Sequence, residues 1–148
     1  MSLRPNHQEQ RRSMCDSSAY FALAETRDVN HRDARAIVAG MTRQHWRLFT
    51  TNFIVAEAHA LFLARRGRDI ASRFLTGLEV SQGTTVVRAT SADEQMARSI
   101  IARYADKDFS LTDAITFAVM DRLGIRYAFT FDHHSLQYGC STLAPTHF

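Results

Sequence analysis

Short runs that read as strands alternate along this chain with capped helical stretches, and that alternation restricts the fold more than any other feature. Trp46 to Thr50, the β-branched run Thr84 to Val87 and Tyr127 to Phe131 read as strands. A weaker strand is expected around Ser13 to Asp16, and an edge strand from Ser141 to Ala144. Between them lie helices with recognisable starts. Ser17 or Ser18 caps one through Phe21 and Ala24, and Asn30 with Asp33 opens one through Ala34, Ile37 and Met41. Thr51 or Asn52 caps a helix carrying Ile54, Ala58 and Phe62; Gly67 ends it, and Asp69 starts the next through Phe74 and Leu78. Ser91-Ala92-Asp93-Glu94 fits a capping box ahead of Met96 and Ile100. Ser110 caps the most apolar helix, which runs to Leu123 and closes at Gly124. Strands joined through helices pair in parallel with right-handed crossovers, so an α/β fold with four or five strands is expected.

At 148 residues the chain suits one domain. Residues 1–13 are polar and aperiodic and read as a flexible N-terminal arm, leaving residues 14–148 as the folded unit. No apolar run approaches the roughly 20 residues that span a bilayer, and the N-terminus lacks a signal-peptide core, so a cytoplasmic protein with no membrane partner is expected. Cys15 and Cys140 have no zinc spacing and read as reduced, buried thiols. The net charge is +3, and Lys107 is the only lysine among 18 basic residues. Arginine suits bidentate contacts to phosphate, so the charge permits a polyanionic partner without requiring one.

Four acids stand where strands end or helices begin: Asp16, Glu57, Asp113 and Asp132. Ligands of open parallel sheets bind at the carboxyl ends of the strands. Carboxylates gathered there repel one another unless a cation lies among them. Magnesium and manganese prefer such oxygen donors and serve phosphate chemistry. Each acid has a plainer reading as well. Asp16 and Asp113 suit helix caps, Asp132 suits a turn, and Glu57 is the hardest to dismiss because its helix is otherwise apolar.

Asp16-Ser17-Ser18-Ala19-Tyr20-Phe21, Thr51-Asn52 followed by Glu57, Asp106-Lys107-Asp108-Phe109-Ser110-Leu111-Thr112-Asp113-Ala114 and Phe129-Thr130-Phe131-Asp132 together resemble PIN-domain nucleases. Within these the chain is most similar to the VapC-type toxins of toxin–antitoxin modules, from about Met14 onward. The resemblance implies a three-layer α/β/α sandwich and a Mg2+- or Mn2+-dependent ribonuclease acting on RNA phosphodiesters. It carries the acidic quartet over to Asp16, Glu57, Asp113 and Asp132 as metal-holding and catalytic residues. Ser17 or Ser18 becomes the hydroxyl beside the first acid, and Thr112 the polar residue beside the third. It further implies a homodimer and a VapB-like protein antitoxin that inserts a basic side chain near the acids. The chain departs from the family pattern in two places. Arg11-Arg12-Ser13 stands where the first strand is commonly apolar, and His133-His134-Ser135 follows Asp132 where an aromatic is frequent.

Secondary candidates read more modestly. Arg65, Arg66, Arg68 and Lys107 are possible RNA contacts, against solvated helix-end and loop positions. His133 and His134 could donate protons or bind a transition metal but are expected on a surface loop, His59 in ordinary packing, and Tyr20, Phe21 and Trp46 in the core rather than as base-stacking platforms. Three rival functions remain. A PIN nuclease of RNA maturation differs from a toxin in lacking an antitoxin reading frame upstream. A phosphoacceptor module needs a lysine near a late strand end, where this chain has none. A non-catalytic metal- or RNA-binding module would retain binding without cleavage.

Overall fold

In the computed structural model, which describes residues 11–148, the alternation becomes a five-stranded sheet. The elements are β1 (Arg12–Cys15), α1 (Ser17–Ala24), α2 (His31–Arg43), β2 (Arg47–Thr51), α3 (Asn52–Arg66), α4 (Arg68–Val80), β3 (Thr84–Val87), α5 (Ser91–Arg103), α6 (Leu111–Leu123), β4 (Tyr127–Phe129), α7 (His134–Tyr138) and β5 (Ser141–Thr142), followed by a 3-10 turn, Pro145–His147. Strand order is β3-β2-β1-β4-β5, and every pairing is parallel. Residues 1–10, which hold most of the expected arm, lie outside the described residues; Arg12 and Ser13 already belong to β1.

Alternation along the central strands builds the layers. Successive strand side chains point to opposite faces. Met14 joins a core with Ile54, Ile100, Ala114 and Ile115, so α3, α5 and α6 cover that face. Cys15 joins Ala19, Ile37, Met41 and Phe129 on the other, under α1 and α2. Neighbouring β4 repeats the pattern with Ala128 and Phe129. The result is the three-layer sandwich. A smaller cluster of Phe21, Phe62 and Ala71 ties α4 to α1 and α3.

The thin composition of β1 is compensated by hydrogen bonds. Ser13 is fully buried and its hydroxyl donates to the Met14 carbonyl at 3.2 Å; buried Thr50 donates to the Cys15 carbonyl at 3.1 Å. Polar groups in the sheet interior are thereby satisfied, which keeps their burial from being costly.

Several boundaries differ from the sequence reading, each for a local reason. Asp16 itself caps α1, accepting the Ala19 N–H, so neither Ser17 nor Ser18 is the cap. Thr51 caps α3, while Asn52 turns away to accept the Ala89 N–H at 2.9 Å. The capping box of α5 is Thr90 with Asp93, one residue before the expected start. Asn30 precedes α2 with no capping bond from its side chain. β4 stops at Phe129, two residues early, because Thr130 and Phe131 turn to bond Asp16 and Ser18. Gly124 ends α6 at φ 68°, a left-handed position that favours glycine.

Candidate active site

The crevice lies outside the carboxyl ends of β1 and β4, where the chain's crossovers diverge to either side of the sheet. Asp16, Ser17, Ser18, Glu57, Thr112, Asp113, Thr116 and Asp132 line it over a floor of Met14, Ile54 and Ala128. It encloses about 50 Å³. At roughly 10–15 Å³ per water, that is room for an ion with a few waters.

Asp16 is the most firmly held of the acids. Its carboxylate accepts from the Ser18 hydroxyl at 2.6 Å, from the Ala19 N–H at 3.2 Å and from the Thr130 hydroxyl. Burial pushes its carboxyl above the ordinary value; the Ser18, Thr130 and Ala19 donors oppose this, and the charge of Asp132 adds to the rise. Such a group gains from a cation close by, which favours its charged form.

Asp113 stands in the first turn of α6, where its carboxylate accepts the Ser110 N–H at 3.0 Å while its own N–H donates to the Ser110 hydroxyl at 3.0 Å. The capping reading and the site reading therefore both describe it. One oxygen serves the cap, and the other remains for the crevice. Asp132 sits past the end of β4 in a turn. Its N–H donates to the Thr130 hydroxyl at 3.0 Å, and its carboxylate accepts the His134 N–H at 2.9 Å.

Glu57 is exposed, although its helix is otherwise apolar. It sits at the crevice edge because α3 starts at Thr51 on the neighbouring strand, and the Ser17 hydroxyl donates to it at 3.0 Å. Both serines thus serve the acids, Ser18 the first and Ser17 the second. Thr112 lines the crevice beside Asp113, its carbonyl accepting the Thr116 hydroxyl at 2.8 Å.

The basic candidates stand elsewhere. Arg66 pairs with Glu25, and Arg65 lies over the Phe21 ring at 5.2 Å. Arg68 opens α4 in solvent, and Lys107 pairs with Asp106 at 3.1 Å. None of the four lines the crevice. Trp46 and Tyr20 pack against Tyr127 and Phe74, as core aromatics do.

Two residues of the site escaped the sequence reading. Thr130 is 5% exposed and holds both Asp16 and the Asp132 N–H. Its signal was a hydroxyl at the end of an apolar strand. His134, expected on a surface loop, instead opens α7 with Nδ1 at 3.0 Å from Asp113 and 3.1 Å from Asp132. Its neighbour His133 is the exposed one, at 3.7 Å from Asp132.

The donor set is dominated by carboxylate oxygens in a small pocket, with a half-buried acid, Asp16, whose charge is opposed by desolvation and a neighbouring carboxylate. That chemistry fits a hard divalent cation. A model of the PIN domain matches residues 13–138. The chain is 32% identical over 116 residues to the VapC ribonuclease of Archaeoglobus fulgidus, across 77% of this chain and 73% of that protein. It is 29% identical over 117 residues to the 23S rRNA-specific endonuclease VapC20 of Mycobacterium tuberculosis, across 79% and 86%. The crystal structure of that VapC20, a sarcin–ricin loop cleaving toxin, superposes with a TM-score of 0.82 at 26% identity, covering 89% of this chain and 98% of the other. The FitAcB structure from Neisseria gonorrhoeae shares the fold at a TM-score of 0.60 and 17% identity, covering 91% and 99%.

Proposed function

The chain belongs to the PIN-domain family, and from that premise we propose that it is a divalent-metal-dependent endoribonuclease, the toxin of a toxin–antitoxin pair. The observation that carries this is the gathering of Asp16, Glu57, Asp113 and Asp132 around one small crevice at the sheet's carboxyl end. Similarity to VapC ribonucleases over more than three quarters of the chain supports RNA as the substrate.

In this reading Asp16, Asp113 and Asp132 hold Mg2+ or Mn2+, with Glu57 contacting the ion directly or through water. When bound, such a cation polarises a phosphoryl oxygen and makes water a stronger nucleophile near neutral pH. The chain's own residues do the positioning. Ser18, Thr130 and the Ala19 N–H fix Asp16, so that its carboxylate does not swing when substrate enters. The Ser110 capping box fixes Asp113, and Ser17 steadies Glu57 at the open side, where it can accept a proton from an attacking water. Hydrolysis by water leaves 5′-phosphate and 3′-hydroxyl ends.

A protein antitoxin and a homodimer complete the proposal. The resemblance to VapC toxins supports both. Among the described residues no helix is long and apolar enough to cross a membrane.

The test is cleavage of structured RNAs, a sarcin–ricin stem-loop among them, by purified protein in Mg2+ or Mn2+. The expected result is 5′-phosphate products, abolished by EDTA and by Asp16→Asn or Asp113→Asn, with the variants' melting temperatures in EDTA close to wild type. Full activity in either variant would refute the assignment of that acid. Mn2+ binding without cleavage of any RNA would favour a non-catalytic module.

A further inference from the structure

His134 reaches the site by a route that sequence spacing conceals. Its own N–H donates to Asp132 Oδ1 at 2.9 Å, and this turn starts α7 with the imidazole beside the third and fourth acids. Nδ1 then lies 3.0 Å from Asp113 Oδ2 and 3.1 Å from Asp132 Oδ1. The ring stands edge-on to Phe109, with centroids 5.8 Å apart, and Nδ1 is shut off from solvent. Nδ1 makes no hydrogen bond of good geometry to either oxygen, so its approach to the two carboxylates is a close polar contact with both rather than a straight hydrogen bond to one. A nitrogen this close to two carboxylate oxygens is favourable only when it carries a hydrogen.

The particular oxygens matter. Asp113 Oδ2 is also the atom that accepts the Ser110 N–H, and Asp132 Oδ1 is also the atom that accepts the His134 N–H. The contact from His133 falls on Asp132 Oδ1 as well. Among the described residues, every contact to these two carboxylates is therefore on one oxygen of each. The remaining pair, Asp113 Oδ1 and Asp132 Oδ2, is left for a cation.

We propose that His134 is a positioning residue: its Nδ1–H ties Asp113 to Asp132 and turns one oxygen of each toward the metal position. This rests on the metal-site reading above. The third acid comes from a helix start and the fourth from a turn beyond a strand, so no single element fixes their separation. His134 supplies that link. Partners of this kind, which hold a ligand without touching the metal, typically contribute 10- to 100-fold in affinity.

The experiment is calorimetric titration of the purified protein with MnCl2, comparing wild type, His134→Ala, His134→Asn and Asp113→Asn, with a melting curve for each. Asn carries an amide N–H close to where the imidazole has Nδ1–H. Wild type is expected to bind Mn2+ and Asp113→Asn to lose binding. His134→Ala should weaken binding by about 10-fold or more, and His134→Asn should recover it to within about threefold. Equal affinity in wild type and His134→Ala overturns the inference while leaving the metal site standing. Equal weakening in His134→Ala and His134→Asn, tracking a lowered melting temperature, also overturns it, since packing alone would then explain the loss. Electron spin-echo modulation from a directly bound imidazole nitrogen in the Mn2+ protein would make His134 a ligand and overturn it too. No Mn2+ binding by wild type would defeat the metal-site reading itself, and the inference with it.

Discussion

At the scale of single residues, Thr130 shows how much the site depends on groups that carry no charge. One hydroxyl donates to Asp16 and accepts the Asp132 N–H, so it couples an acid at the end of β1 to one past the end of β4. Thr130→Val keeps the shape, removes the donor to Asp16 and takes the acceptor from the Asp132 N–H. The expected outcome is Mn2+ affinity lower by about 10-fold, with Ser18→Ala giving a similar loss through the other oxygen-side donor of Asp16. Titration calorimetry measures it, and unchanged affinity in both variants would mean that the acid is held by the helix start alone. The gathering of the four acids was legible in the sequence because three stand at a strand or helix end, where an α/β fold collects its functional groups, and Glu57 lies within the first turns of an otherwise apolar helix. Thr130 and His134 were not. A threonine at a strand end and a histidine in a polar run are commonplace, and their partners are more than 100 residues away in one case and on another helix in the other.

At the scale of elements, the pairing of α5 with α6 rests on more than apolar packing. Arg122 in the last turn of α6 grips Asp93 with Nε at 2.9 Å from one oxygen and a terminal nitrogen at 2.8 Å from the other. Asp93 is 3% exposed and also closes the capping box of α5, so one buried carboxylate joins a helix start to a neighbouring helix end. The sequence announced a capping box here but set it one residue late, from Ser91 to Glu94, and gave no sign of the ion pair, because Asp93 and Arg122 are far apart along the chain. Arg122→Ala leaves the carboxylate buried without its cation. With the guanidinium itself 40% exposed, the expected loss is about 1–3 kcal/mol, between the values for exposed and for fully buried pairs. The bond from Arg122 holds the Asp93 carboxyl below its ordinary value. A group depressed in the folded state stabilises above its unfolded pKa, about 3.9 for Asp, and loses that contribution as pH falls through the folded value. The stability difference between wild type and Arg122→Ala should therefore be full at pH 7 and shrink as pH falls below about 4. Urea unfolding at the two pH values measures it, and a difference that persists undiminished in acid would show that the variant acts through packing.

At the scale of the whole molecule, the fold concentrates negative charge at one end of its sheet while the chain is positive overall, with net charge +3. That distribution links folding to cation binding. Asp16 comes from the end of β1, Glu57 from α3, Asp113 from α6 and Asp132 from the turn after β4, so the four meet only when the sheet and the layer of α3, α5 and α6 on one of its faces are assembled. An unfolded chain offers no such site, and a cation that binds only the native state stabilises it by mass action. At 100 times its dissociation constant the gain is about 2.7 kcal/mol. For a domain of this size each kcal/mol moves the melting temperature by roughly 2–4 °C. Adding MnCl2 or MgCl2 to EDTA-treated protein should then raise the melting temperature by about 5–10 °C, saturating as the site fills. Two controls separate a site from general screening. NaCl at matched ionic strength should reproduce little of the rise, because exposed charges are screened without being bridged. Asp113→Asn should remove most of it while its melting temperature in EDTA stays close to wild type or slightly above, since one repelling charge has gone and the amide oxygen can still accept the Ser110 N–H. A rise of the same size in NaCl, or in Asp113→Asn, would show that the acids respond as a diffuse negative patch and hold no ion in common.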